Sequence, residues 1–306
     1  MARARERGWP ADPEPLPVPV VDNHTHLDSV VGWSSDGWPG DGAADLAAHL
    51  ARAAAAGVGR MVHVACDLDA LDWADAAVRE HRELLAAVAI HPNEAVLHAG
   101  VREIAPDGLE PDPVARHDVP LDEAIARVER AARANDRVRA IGETGLDFFR
   151  AGPAGRVVQR AAFRAHIALA KELGLTLQIH DRDAHAEVVE VLRADGAPER
   201  TVFHCFAGDV ELAQVCADEG WHASFAGPLT FRANAALRAA AALLPPHLLL
   251  VETDAPYLTA VPHRGRPNAP YLLGPTVREL ARVRGQGLVA TCEQVAATAE
   301  RLYGPW

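Results

Sequence analysis

Val20-Val21-Asp22-Asn23-His24-Thr25-His26 is a short β-branched run that breaks into His-x-His. In a strand, successive side chains alternate between faces, so His24 and His26 point one way and Thr25 the other. Two neutral imidazoles side by side at a strand end can grip one divalent ion, since imidazole suits zinc and its neighbours. The chain has fifteen histidines, and a single such pair also arises by chance. The fold therefore turns on whether other strands end in further ligands.

Outward from that stretch, apolar runs alternate with helical stretches. Strands are expected at 18–22, 60–65, 84–90, 138–142, 175–179, 201–203, 221–225 and 248–252. Helices are expected at 43–56, 70–82, 121–134, 155–173, 183–194, 209–218, 232–242, 276–284 and 291–303. Residues 32–42 and 255–275 read as loops, and the polar, proline-rich stretch 100–120 as a surface insertion. Eight strands with intervening helices and no linker-like break predict a single α/β domain, a (β/α)8 TIM barrel over 18–306, after a frayed tail at 1–17. A doubly wound open sheet is the alternative. It is disfavoured because the candidate ligands follow strands spread around the whole series, and only a closed barrel brings those together.

Composition narrows the function. No apolar run approaches the roughly 20 residues that span a bilayer. The start, Met1-Ala-Arg-Ala-Arg-Glu-Arg7, leads into a proline-rich stretch and not into the apolar core of a secretory signal. Cys66, Cys205, Cys216 and Cys292 are widely spaced with no Cys-x-x-Cys, which suits reduced thiols in a cytoplasm. A net charge of −12 argues against a broad basic face that coats nucleic acid. It leaves room for a local pocket that takes a strand end.

In barrels of this kind the active site lies at the C-terminal ends of the strands. The polar residues expected there are His24 and His26 after strand one, Glu143 after strand four, His180 after strand five, His204 after strand six and Asp254 after strand eight. Four imidazoles and two carboxylates suit two divalent cations, with Glu143 between them. Mixed nitrogen and oxygen ligation accommodates Zn²⁺, Mn²⁺, Fe²⁺ or Co²⁺, while a purely Mg²⁺ site is chemically less natural.

The motifs Asp22-Asn-His-Thr-His-Leu-Asp28, Ile141-Gly-Glu-Thr-Gly-Leu-Asp147, Ile179-His-Asp-Arg-Asp-Ala184, Phe203-His-Cys-Phe-Ala-Gly208 and Val251-Glu-Thr-Asp-Ala-Pro-Tyr-Leu258 stand in the order found in one family. From about residue 18 to its C-terminus the chain resembles the TatD family of metal-dependent hydrolases, within the amidohydrolase-like barrels. The resemblance implies His24, His26, Glu143 and Asp254 around one metal and Glu143, His180 and His204 around the other. Asp254 would orient or deprotonate the attacking water. Family members are usually described as DNases, often trimming from the 3′ end, with Mg²⁺, Mn²⁺ or Zn²⁺. Many binuclear relatives bridge their metals with a carbamylated lysine from a barrel strand. Here the only lysine, Lys171, falls in a helix, so Glu143 must bridge if two metals bind.

The expected activity is therefore hydrolysis of DNA phosphodiesters, exonucleolytic, on strand ends or a small phosphodiester. The same centre could attack amides, lactones or aminoacyl esters. A non-catalytic scaffold would be expected to lose a ligand, and all six are present. Weaker candidates surround them. His91-Pro92 would place His91 at the pocket edge, Arg182 could hold a phosphate as a planar fork, and Glu252 could accept from a metal-binding imidazole. His63 reads as structural and Asp147 as a brace for the loop after Glu143. One departure stands out: Arg264-Gly-Arg-Pro-Asn-Ala-Pro270 puts Ala269 where the family has an acidic residue.

Overall fold

The computed structural model describes residues 8–33 and 45–306. Its strands are β1 (Val20–Thr25), β2 (Val58–Ala65), β3 (Leu84–Val88), β4 (Val138–Asp147), β5 (Thr176–Arg182), β6 (Thr201–Phe203), β7 (His222–Phe225) and β8 (Leu249–Val251). They form one eight-stranded sheet in chain order, and each pairs in parallel with the next. The seam between the first and last strands is closed by the chain just past β8. Asp254 N–H donates to the His24 carbonyl (3.0 Å) and His26 N–H to the Ala255 carbonyl (2.8 Å). The buried Asp22 carboxylate takes the Thr253 N–H (2.9 Å) and the Thr253 hydroxyl. The barrel therefore closes through the segment that carries Asp254.

Around the sheet run α1 (Leu27–Gly32), α2 (Leu46–Ala55), α3 (Leu68–Glu80), α4 (Pro92–His98), α5 (Leu121–Ala134), α6 (Pro153–Leu173), α7 (His185–Asp195), α8 (Val210–Glu219), α9 (Ala235–Leu243), α10 (Gly274–Arg284) and α11 (Leu288–Tyr303). Their ends follow ordinary local chemistry. Asp67 and Asp209 accept backbone N–H groups at the starts of α3 and α8, and left-handed Gly174 and Gly285 end α6 and α10.

The alternation of side chains splits the core in two. Val20, Met61, Leu84, Ile141, Leu177 and Phe225 belong to the large outer cluster with the helices. Val21, Val62, Val64, Leu85, Ala87, Ala140, Val202 and Leu250 form a separate interior cluster, packed on Leu302 and Tyr303 of α11. The end of α11 thus plugs the barrel. The Tyr303 hydroxyl reaches a polar layer above it, donating to Asn23 Oδ1 and accepting from Gln178 Nε2 (2.7 Å).

Three expectations need correction. Residues 8–17 are not frayed: Trp9 and Leu16 are buried, Tyr271 donates to the Pro10 carbonyl (2.8 Å) and Arg266 to those of Gly8 (2.8 Å) and Trp9 (2.6 Å). The prolines set an extended strap and Trp9 anchors it. Strands β4 and β5 run on to Asp147 and Arg182, so Glu143 and His180 lie within strands and not after them. Helices α1 and α4 follow their strands at once, too short to show a helical period. The loop expected at 32–42 and the start of the helix expected at 43 lie largely outside the described residues. The insertion at 100–120 is tied down by charge: Arg116 forks onto Glu94 (2.7 and 3.1 Å) and reaches Asp69 (3.0 Å).

Trp9 packs with Val30, Ala56, Ala255, Ala269 and Tyr271. Trp9→Ala should cost about 3 kcal/mol through the cavity it leaves and lower Tm by roughly 5 °C. An unchanged melting curve would show that the strap adds nothing to the fold.

Candidate metal centre

Two glycines let β4 press against β5. A Cβ on Gly142 would stand 2.5 Å from the Gln178 Cβ, and one on Gly145 (φ +142°) would stand 2.1 Å from the His180 carbonyl oxygen. Any larger residue would push His180 away from Glu143. On the next strand His204 N–H donates to the Ile179 carbonyl (3.0 Å). Across the seam, Asp254 takes a left-handed φ of 54° and aims its carboxylate at His26.

Glu143 is the hub. Its Oε2 lies 2.6 Å from His204 Nε2, 3.2 Å from His180 Nδ1 and 3.9 Å from His24 Nε2. Its Oε1 faces His26 Nε2 at 3.8 Å and His91 Nε2 at 3.7 Å. Asp254 Oδ1 lies 3.5 Å from His26 Nε2 and 4.0 Å from His24 Nε2. His24 and His204 stack with centroids 3.8 Å apart. Burial pushes the Glu143 carboxyl up, but His204, His91 and His180 outweigh it and hold it well below the usual range.

The imidazoles are oriented from behind. His24 Nδ1 contacts the Gln178 amide oxygen (2.8 Å) and His26 Nδ1 the Val64 carbonyl (3.1 Å). Both partners only accept, so each Nδ1 carries a proton and each Nε2 is the nitrogen left to face the carboxylates. That is the tautomer a divalent ion requires. The buried His24 Nε2 has no hydrogen-bond partner among the described residues, as a ligand atom would be left. His204 Nδ1 donates to Glu252 Oε1 (3.1 Å), and the Glu252 carboxylate is fixed by Cys205 N–H (2.6 Å) and Asn23 Nδ2 (3.3 Å). The donor set fits divalent cations: imidazole nitrogens and carboxylate oxygens converge, and no Lys or Arg forms an ion pair with Glu143 or Asp254 among the described residues.

The six residues expected from the strand ends are thus brought together, and His91 joins them, its ring 4.7 Å from that of His180. Glu252 stands behind His204 as expected. Asp147 does brace its loop, accepting from Arg150 N–H (3.0 Å), and also lies 3.3 Å from His180 Nε2. His63 is structural, its Nδ1 accepting from Leu27 N–H (3.2 Å). Arg182 behaves differently from expectation, for its guanidinium lies 3.9 Å over the Phe149 ring. Gln178 and the Val64 carbonyl were missed. A glutamine inside a strand, or a backbone oxygen, carries no motif. A second group of potential ligands, Glu94 and His98 of α4 and His117, ties the insertion to α4. There His117 Nδ1 accepts from Val114 N–H (2.8 Å), so Nε2 bears the proton and donates it to Glu94 (2.8 Å). That cluster is a structural clasp.

A family model described as TatD related DNase matches residues 21–304. An uncharacterized metal-dependent hydrolase named TatD from Mycobacterium tuberculosis is 41% identical over 289 residues, 93% of this chain and 98% of that protein. A protein from Pantoea ananatis named as a 3′-5′ ssDNA/RNA exonuclease is 36% identical over 187 residues, 59% of this chain and 71% of its own length. The crystal structure of YjjV, a TatD homologue from Escherichia coli K12, superposes with a TM-score of 0.76 at 24% identity, covering 93% of this chain and 97% of that one.

Orientation from behind makes a measurable claim. Gln178→Met removes the acceptor that fixes the His24 tautomer, and metal affinity should fall about 10- to 100-fold, as it does when such outer partners are lost. Competition against a chelator would measure it, and unchanged affinity would remove Gln178 from the site.

Proposed function

The chain belongs to the TatD-related DNase family of metal-dependent hydrolases, and from that premise we propose that it is a nuclease that trims single-stranded DNA from an end using two divalent cations. The observation that carries this reading is the placement of Glu143, whose Oε1 faces His26 and whose Oε2 faces His204 and His180, with Asp254 Oδ1 beside both His26 and His24. One carboxylate so placed serves two ions. In the proposed assignment His24, His26, Glu143 and Asp254 hold one, and Glu143, His180 and His204 hold the other. The only lysine, Lys171, donates to the Asp195 carbonyl (2.8 Å) on the outside of the barrel and is no rival bridge.

When bound, divalent cations lower the pKa of a water and neutralise charge growing on the phosphoryl oxygens. The remaining steps fall to side chains. Asp254, on the pocket side of His26, accepts the proton of the attacking water. His91 lines the opposite edge of Glu143, where it can donate to a phosphate oxygen. Glu252 and Gln178 keep His204 and His24 from turning. The acidic chain favours a substrate held through few phosphates, as an end is, and the named activity of the Pantoea relative supports a single strand. The wide spacing of the four cysteines supports a cytoplasmic location in this reading. Among the described residues no helix is long and apolar enough to cross a membrane.

The test is a paired assay of metal-loaded wild type and Glu143→Ala on single-stranded DNA, RNA, and a panel of esters and amides, with bound metal counted. Metal-dependent release of nucleotides by wild type is expected, with only a shallow decline as salt rises. Glu143→Ala should bind less metal and lose at least 100-fold in kcat. Turnover of carbonyl substrates alone would overturn the substrate class.

A further inference from the structure

The last of the five motifs contains Tyr257, which neither the metal centre nor the proposed chemistry uses. The residue is 54% exposed, although its backbone is held firmly. Tyr257 N–H donates to the Asp254 carbonyl (2.9 Å), and the Asn268 amide donates to the carbonyls of Tyr257 (2.6 Å) and Thr253 (3.0 Å). The neighbouring turn is pressed so close to Gly227 that a Cβ there would stand 1.9 Å from the Leu258 carbonyl oxygen. The ring meets His26 edge-on, with centroids 5.8 Å apart and planes at 70°. A fixed, exposed aromatic face against a metal-binding imidazole has no packing role that needs its exposure.

A second exposed ring stands on the other side. Phe149, 37% exposed, follows β4, and Arg182 at the end of β5 covers one of its faces at 3.9 Å. Phe148 N–H donates to the Arg182 carbonyl (2.9 Å), and Arg150 N–H to Asp147 (3.0 Å), which itself faces His180. Strands β1 and β5 are four places apart in an eight-stranded ring. Tyr257 beside His26 and Phe149 beyond His180 therefore flank the metal centre from opposite walls.

We propose that Tyr257 and the Arg182-backed Phe149 are stacking platforms for the two nucleobases on either side of the phosphate held at the metal centre. This rests on the nuclease reading and deepens it: the site selects a base-bearing single strand, because paired bases have no free face to offer. Stacking of this kind is tolerant of sequence. Arg182 acts through the Phe149 ring and adds a cation beside the incoming strand.

The test compares metal-loaded wild type, Tyr257→Ala, Tyr257→Phe and Phe149→Ala on a short oligothymidylate and on an abasic strand of the same length. Affinity for phosphorothioate versions of both strands is measured in parallel by anisotropy. Wild type should prefer the base-bearing strand in both readouts. Tyr257→Ala and Phe149→Ala should each shrink that preference about tenfold, mainly through KM and Kd, while Tyr257→Phe keeps it. A preference equal to wild type in both alanine variants overturns the platforms. So does equal weakening on both strands, which is what a merely structural role would give. Wild type that binds but does not cut overturns the nuclease reading while the binding ratios still decide the platforms. Wild type that neither binds nor cuts overturns both.

Discussion

Everything at the C-terminal end of this barrel depends on keeping carboxylates charged where water is scarce. Glu143, Asp254, Glu252, Asp147 and Asp22 are all buried. An isolated buried carboxylate is costly and normally takes up a proton instead. Asp22 shows that tendency, since burial pushes it up to about 8 despite its bonds from Thr253 and His24. Glu252 is also raised, by burial first and with Asp254 adding to it, against the pull of His204. Glu143 and Asp147 are held down instead, because imidazoles crowd both oxygens of Glu143 and His180 faces Asp147. Divalent cations are the natural counter-charge for such a set.

The same residues close the barrel. Asp254 holds β1 with its backbone and faces His26 with its carboxylate, while Asp22, two residues before His24, grips Thr253. Stability and site geometry are thus coupled at one seam. A change that loosens the junction of β1 and the segment after β8 moves three proposed ligands together. Glu143 and His180 hang on the β4–β5 contact, where Gly142 and Gly145 permit an approach that no side chain would. Tyr303 and Gln178 join the two halves from below.

This division explains what the sequence disclosed. The eight-strand order and all six proposed ligands were legible, because a barrel delivers its strand ends to one place and polar residues there break an apolar run. Boundaries were legible only where composition changed abruptly. Strand β4 ran on past Gly142 because a glycine that usually punctuates a strand here serves close packing. The orienting partners were hidden. Gln178 sits in a strand interior, and only the register opposite His24 gives it meaning. Arg182 looked like a phosphate fork by its place after His180. The side chain instead lies flat on Phe149, where the ring attracts its charge at little cost in desolvation.

The unusual Ala269 and the misread N-terminal strap are one feature. Ala269 is fully buried beneath Trp9 and beside Ala255, the residue after Asp254. A carboxylate at 269 would be shut into an apolar cluster, and the strap that closes the cluster would have to leave. In its place the Arg266 guanidinium holds the carbonyls of Gly8 and Trp9, which pin the strap over the same loop. The neighbouring Asn268 still bonds Thr253 and Tyr257. Ala269 thus belongs to the packing that anchors the strap, while Asn268 holds the segment that presents Asp254 and Tyr257 to the pocket.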